Sequence, residues 1–147
     1  HMRAQDLWRK FPNTFDKVLA DVPCSLEGRF LTTNPKTFSN WSVKKIKILS
    51  DHQKHILRSA ISSAAPGATI VYSTCTLSPE ENEEVVDWIL KKDPSVSLQN
   101  ISLDGLSGVP AIMEWKGKTY DPSVAKCLRL QPSNEVEGFF IALFEKH

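Results

Sequence analysis

Two short stretches, Asp21-Val22-Pro23-Cys24-Ser25 and Tyr72-Ser73-Thr74-Cys75-Thr76, constrain this chain more than any other feature, because each sits at the end of an apolar run too short for a helix. The runs are Phe15 to Ala20 and Ala68 to Tyr72. Both are rich in β-branched or aromatic residues and are bounded by Pro or Gly, the pattern of buried parallel strands. Each cysteine then lies just past the C-terminal end of a strand. In an open α/β sheet that edge receives ligands, so two thiols delivered there by two strands can face one substrate. A single strand-end cysteine is more often a small packed side chain; two in distinctive settings on neighbouring strands favour chemistry.

The segment between the strands reads as one helix. From Ser42 to Ala65 the apolar positions Ile46, Leu49, Ile56, Leu57, Ala60, Ile61 and Ala64 follow helical spacing, with Gln53 on the same stripe, and Pro66-Gly67 ends it. Strand 15–21, helix 43–64 and strand 68–73 thus form a right-handed parallel crossover. After Cys75, Ser78 as N-cap, Pro79 in the first turn and Glu81 closing a capping box predict a second helix whose buried face is Val85, Val86, Ile89 and Leu90. A helix start this close to Cys75 lowers a thiol's pKa, partly offset by Glu80 and Glu81. Val96–Ser102, Cys127–Leu130 and Gly138–Phe144 are strand-like, the last apolar enough to be interior, and Leu103 to Tyr120 is irregular. Residues 3 to 13 give a helical turn and a loop, and Ser25 to Asn40 is a second loop.

At 147 residues with 41% hydrophobic content, one globular domain is expected. His1-Met2 has the look of a tag remnant, so the domain is taken as residues 3–147. No apolar run approaches the roughly 20 residues that span a bilayer, and no signal-peptide pattern opens the chain, so a cytoplasmic protein is the expectation. Three widely spaced cysteines give neither a disulfide framework nor a Cys-x-x-Cys metal pattern, and no metal site is expected. The net charge of +1 is uninformative, but residues 28–60 hold seven cations against the single acid Asp51. That surplus suits a phosphate backbone, with Arg29, Lys36, Lys44, Lys45 and Lys47 as the candidate contacts; a solvated helix face is the alternative.

A thiolate that adds to carbon 6 of a pyrimidine turns carbon 5 into a nucleophile able to accept a methyl group. This is covalent catalysis. One thiol attacks, and the carbon-5 proton must then leave before that thiol is expelled. Cys75 is the better placed attacker.

The stretches Phe15 to Gly28 and Tyr72 to Glu83 resemble the two signature motifs of the Nop/Sun family of RNA cytosine methyltransferases. Arg129-Leu130-Gln131-Pro132, followed by Glu137-Gly138-Phe139-Phe140-Ile141-Ala142, is similar to that family's closing strand segment. The resemblance implies a Rossmann-like α/β methyltransferase fold, of which this chain is the C-terminal half (strands 4, 5, 6 and 7 with intervening helices). It implies methyl transfer from S-adenosylmethionine to a cytosine of transfer or ribosomal RNA. Cys75 would be the nucleophile and Cys24 would assist release. Asp21 would bind the base and share in acid–base work, and Asp21, Val22 and Pro23 would touch the methyl donor. Two departures stand out: Ser133 occupies the place where the family commonly has histidine, and the six glycines form no glycine-rich turn for the donor. The chain by itself is therefore expected to bind S-adenosylmethionine weakly and to self-associate through strand 15–20, unless another chain completes the sheet. Two other readings compete. In a DNA cytosine methyltransferase the proline-linked Cys24 would attack, leaving Cys75 without a task; in a truncated or degenerate RNA-binding module neither thiol would react.

Overall fold

The computed structural model describes residues 2–103, 105 and 108–147. A short 3-10 turn at Ala4–Asp6 and a one-turn helix, α1 (Leu7–Lys10), lead into strand β1 (Phe15–Asp21). The long helix α2 (Val43–Ser63) crosses over to β2 (Ala64–Thr74), which lies parallel to β1 with Leu19 opposite Val71 and Asp21 opposite Ser73. Helix α3 (Glu83–Lys92) and the short strands β3 (Val96–Leu98) and β4 (Val109–Pro110) follow. A hairpin of β5 (Glu114–Trp115) and β6 (Lys118–Thr119) turns through Lys116 and Gly117, both at positive φ, as a two-residue hairpin loop requires. The chain closes with β7 (Leu128–Leu130) and β8 (Phe139–Lys146).

β8 inserts antiparallel between β2 and β7, so the sheet runs β1-β2-β8-β7-β4, with β3 also paired to β8. Alternation along the two central strands decides which face is covered. Ile70 and Tyr72 of β2 and Phe140, Ala142 and Phe144 of β8 are fully buried against Leu57 and Ile61 of α2 and Val85, Val86 and Ile89 of α3. Their neighbours Val71, Ile141 and Leu143 point the other way and are half-buried. The expectation of buried strands thus holds for one face of the sheet. β1 shows this most: among the described residues it pairs only with β2, and Leu19 is 71% exposed.

β2 begins at Ala64, running through Pro66-Gly67, rather than at residue 68, and α2 ends at Ser63, one residue short of the expected 43–64. Its last carbonyls are taken from outside the helix: Asn13 N donates to Ser62 O, Thr14 N to Ser63 O, and the buried Lys146 ammonium to Ile61 O (2.9 Å) and Ala64 O (2.8 Å). A cation here also meets the negative end of the helix dipole. The expected Ser78 capping box does not form. Ser78 Oγ donates to Glu80 instead, residues 78–82 make tight turns, and regular helix begins only at Glu83. The third strand shrinks to Val96–Leu98. Of the stretch 103–120, residues 104, 106 and 107 lie outside the described residues, and the rest carries β4, β5 and β6 where irregular chain was expected.

Candidate active site

Because β1 and β2 are parallel and in register at Asp21 and Ser73, the loops that follow them emerge side by side at one edge of the sheet. Val22 N–H donates to Ser73 O (3.1 Å), carrying the pairing one residue further. The two thiols then meet, with Cys24 Sγ 3.3 Å from Cys75 Sγ. Cys24 is buried, whereas Cys75 is half-buried. Cys127, the third thiol, is buried in the core below β7.

Polar side chains hold this arrangement. Thr74 Oγ1 donates to Asn82 Oδ1 (2.6 Å), and Asn82 Nδ2 donates to Thr76 O (3.0 Å), so the Cys75 turn is tied across its own loop. Ser25 Oγ and Thr76 Oγ1 share a hydrogen bond of 2.7 Å between the two loops. Gly28 N–H donates to Cys75 O and Gly28 O accepts from Gly138 N–H. A Cβ on Gly28 would stand 2.0 Å from Gly138 O, so only glycine permits this approach. Arg129 forks onto Glu83 with two bonds of 2.6 Å and reaches Leu77 O at 3.0 Å. This ion pair is almost wholly buried and fastens the far end of the Cys75 loop to α3 and β7.

Burial pushes the Cys24 thiol up to about 12, with the hydrogen bond and charge of Cys75 adding to it. Cys24 is therefore protonated at neutral pH. Burial likewise raises the Glu81 carboxyl, against hydrogen bonds from Ser25 and Gln53 that favour its ionised form. Glu80 goes the other way. Partial burial opposes its ionisation, but hydrogen bonds led by Lys116 hold it down at about 2. Regular helix begins at Glu83, further from Cys75 than the expected start at Ser78.

Asp21 is exposed at the end of β1, one carboxylate oxygen accepting from Ser73 Oγ (3.0 Å), the other without a protein partner among the described residues. Val22 is buried and Pro23 exposed. Of the predicted RNA contacts, Arg29 is engaged with Glu137, whose hydrogen bond holds the guanidinium above the usual arginine range. Lys36, Lys44 and Lys47 are exposed and Lys45 half-exposed, none with an ion-pair partner among the described residues. Lys44 and Lys45 stand in the first turn of α2, where no acid balances them, an unfavourable place for a cation next to the helix dipole. Phe38, Trp41, Val43 and Ile48 are exposed among these lysines. The sequence reading had no place for these apolar groups, although aromatics interleaved with lysines in a loop were its available signal. It also missed the Glu83–Arg129 pair, a charged residue inside a strand being the available hint. A cavity of about 670 Å³ lies between α1 and α2 beside Trp8 and His52 and is lined by neither thiol.

A six-stranded sheet with its last strand inserted antiparallel, and two thiols at its ligand edge, define a methyltransferase-type catalytic fold. The chain belongs to the family described as 16S rRNA methyltransferase RsmB/F, which matches residues 1–145. It is 41% identical over 138 residues to a tRNA (cytosine(49)-C(5))-methyltransferase of Pyrococcus abyssi, the match covering 93% of this chain and 43% of that protein. A solved methyltransferase homologue from Pyrococcus horikoshii superposes with a TM-score of 0.80 at 30% identity, covering all of this chain and 44% of the other. NSun6 from Pyrococcus horikoshii, solved with SFG, gives a TM-score of 0.77 at 32% identity over 99% of this chain and 33% of its own. The fold is Rossmann-like, and the chain spans less than half the length of these relatives.

Proposed function

We propose that the protein carrying this chain methylates carbon 5 of a cytosine in transfer or ribosomal RNA, with Cys75 as nucleophile and Cys24 as its helper. The observation that carries this reading is the 3.3 Å approach of two thiols from two parallel strand ends, one half-buried and one buried. Cys75 Sγ forms a bond to carbon 6, and the electron pair of the 5,6 double bond moves to carbon 5. S-adenosylmethionine, when bound, supplies the methyl group that carbon 5 accepts. The carbon-5 proton then leaves to a base at this edge, the double bond re-forms, and the pair of the carbon–sulfur bond returns to Cys75. The Cys24 thiol, kept protonated by its burial, has an S–H to offer that departing sulfur. Asp21 has a free carboxylate oxygen for the base or for acid–base work.

The residues present fit only one end of the methyl donor. The exposed Asp21 carboxylate and the Val22-Pro23 backbone suit its cationic, reactive end. For the nucleoside end no glycine turn stands at this edge: among the described glycines, those at positive φ are Gly67, Gly105 and Gly117, far along the chain from β1. The outer edge of β1, unpaired among the described residues and with Leu19 exposed, is where further strands would add. We assign those strands to another part of the whole protein or to a second chain, and residues 3–147 to one domain with them. For RNA, Lys36, Lys44, Lys45 and Lys47 offer unpaired charge and Phe38 and Trp41 offer rings for stacking; Arg29 must first give up Glu137. The whole protein, incubated with RNA and isotopically labelled S-adenosylmethionine, should yield 5-methylcytosine that Cys75→Ala eliminates. Full activity in Cys75→Ala with none in Cys24→Ala would support the DNA-type assignment instead.

A further inference from the structure

We infer that Gln53 and Glu81 are positioning residues that clamp Cys24 against Cys75, and that the clamp governs release of the methylated base. The inference rests on the function proposed above. The segment Val22 to Leu26 belongs to no helix or strand, so nothing in its own backbone pattern fixes where the Cys24 thiol points. The backbone on both sides of Cys24 is instead held from outside. Gln53 Nε2 donates to Pro23 O (2.9 Å), the carbonyl before Cys24, and also to Glu81 Oε2 (2.7 Å). That same Glu81 oxygen accepts from Ser25 N–H (3.1 Å), the amide after Cys24. Pro23, Gln53, Glu81 and Ser25 thus close a ring around one residue. The ring has separate anchors: Gln53 rides on α2, and Glu81 is pinned to β2 by Tyr72, whose hydroxyl donates to Glu81 O (2.6 Å).

The chemistry of the pair argues that it is there for geometry. Gln53 and Glu81 are both 0% exposed, and Gln53 occupies the apolar stripe of α2 between Ile46 and Ile56. Burying an amide and a carboxyl is unfavourable unless every polar atom is partnered, and here Gln53 Oε1 and Glu81 Oε1 have no partner among the described residues. An apolar stripe would pack without that penalty, but it would leave Pro23 O and Ser25 N–H unheld and the thiol free to swing. Misplacement by about 1 Å at a reacting group costs on the order of 100-fold in rate. The step that suffers is the one Cys24 serves, departure of Cys75 from carbon 6.

The test compares Gln53→Leu and Glu81→Gln with Cys24→Ala and Cys75→Ala in the whole protein, incubated with cytosine-containing RNA and S-adenosylmethionine and run on denaturing gels. Gln53→Leu should accumulate covalent RNA adduct 10- to 100-fold above the unaltered protein, and Glu81→Gln, which keeps an acceptor for Ser25 N–H, should accumulate less than Gln53→Leu. Slower methylation without adduct in Gln53→Leu, alongside trapping in Cys24→Ala, overturns the clamp and leaves a structural role. No trapping in Cys24→Ala overturns the thiol roles proposed above instead. A second measurement needs no reaction: dibromobimane fluoresces when it bridges two thiols. Gln53→Leu should lower Cys24–Cys75 bridging several-fold in folded protein, and unchanged bridging overturns the clamp. If thermal melts show that Gln53→Leu does not fold, the shorter Gln53→Asn serves both measurements with the same expected direction.

Discussion

The loops after β1 and β2 deliver the same functional group to the same place, yet they hold it differently. Around Cys24 the backbone is fastened on both sides, at Val22 N–H, Pro23 O, Ser25 N–H and Gly28, and the thiol is buried. Around Cys75 the chain is also fastened, at Cys75 O by Gly28 N–H, at Thr74 and Thr76 by Asn82 and at Leu77 O by Arg129, but Cys75 itself is only half-buried. A group that must reach into a substrate needs a rigid base and a free tip; a group that assists at short range needs a fixed direction. The difference between the loops follows that division, and it is open to attack from both sides.

The largest effect is expected from the far end of the Cys75 loop. Arg129→Met leaves Glu83 buried without its cation and Leu77 O without its donor, and should destabilise the fold by about 3–5 kcal/mol, read from chemical denaturation. An intact fold with unchanged stability would remove Arg129 from the account. Next is Gly28→Ala, which drives a methyl into Gly138 O. It should cost about 1–3 kcal/mol and loosen Cys24 in particular, so bimane bridging should fall with it. The burial of Cys24 makes a smaller, pH-dependent claim. Below the ordinary value of 9.0 both folded and unfolded states keep the proton; between 9.0 and about 12 the unfolded thiol ionises and the buried one does not. Stability must therefore fall as pH rises through that window. Cys24→Ala should remove one titrating proton from the fall seen between pH 9 and 10, while Cys127, also raised by burial, keeps its share. An unchanged slope would mean that Cys24 is not buried in solution. The smallest effect on the fold belongs to Lys44, Lys45 and Lys47 changed together to Gln. Neither loop is touched, and relief at the start of α2 should stabilise by a few tenths of a kcal/mol per residue, at about the lower end for dipole effects. RNA binding should nonetheless lose about one unit of log–log salt slope per lost phosphate contact. An unchanged slope would return these lysines to a solvated face.

Much of the scaffold was legible because its determinants are local. Apolar runs mark β1, the second half of β2 and β8, the stripe from Ile46 to Ile61 marks α2, and the parallel crossover that puts both thiols at one edge follows from their order. The start of α3 was not legible, although Ser78, Pro79 and Glu81 match a capping box. Glu81 is drawn instead to Ser25 and Gln53, and Asn82 to Thr74 and Thr76. The Glu81 partners lie 56 and 28 residues away, and no local pattern announces them. Arg129 is similar, a charged residue in a three-residue strand whose partner is Glu83. The insertion of β8 between β2 and β7 was also out of reach, since the apolar run from Phe139 to Phe144 says that it is central but not which strands flank it.

The central claim is the division of labour between the two thiols, and covalent trapping tests it most directly. The whole protein and its Cys24→Ala and Cys75→Ala variants are incubated with cytosine-containing RNA and S-adenosylmethionine, denatured, and separated on gels that resolve free from protein-linked RNA. The account predicts a retarded band that persists in Cys24→Ala, where attack proceeds and release stalls, and no band in Cys75→Ala. A band that persists in Cys75→Ala and is absent in Cys24→Ala would contradict it.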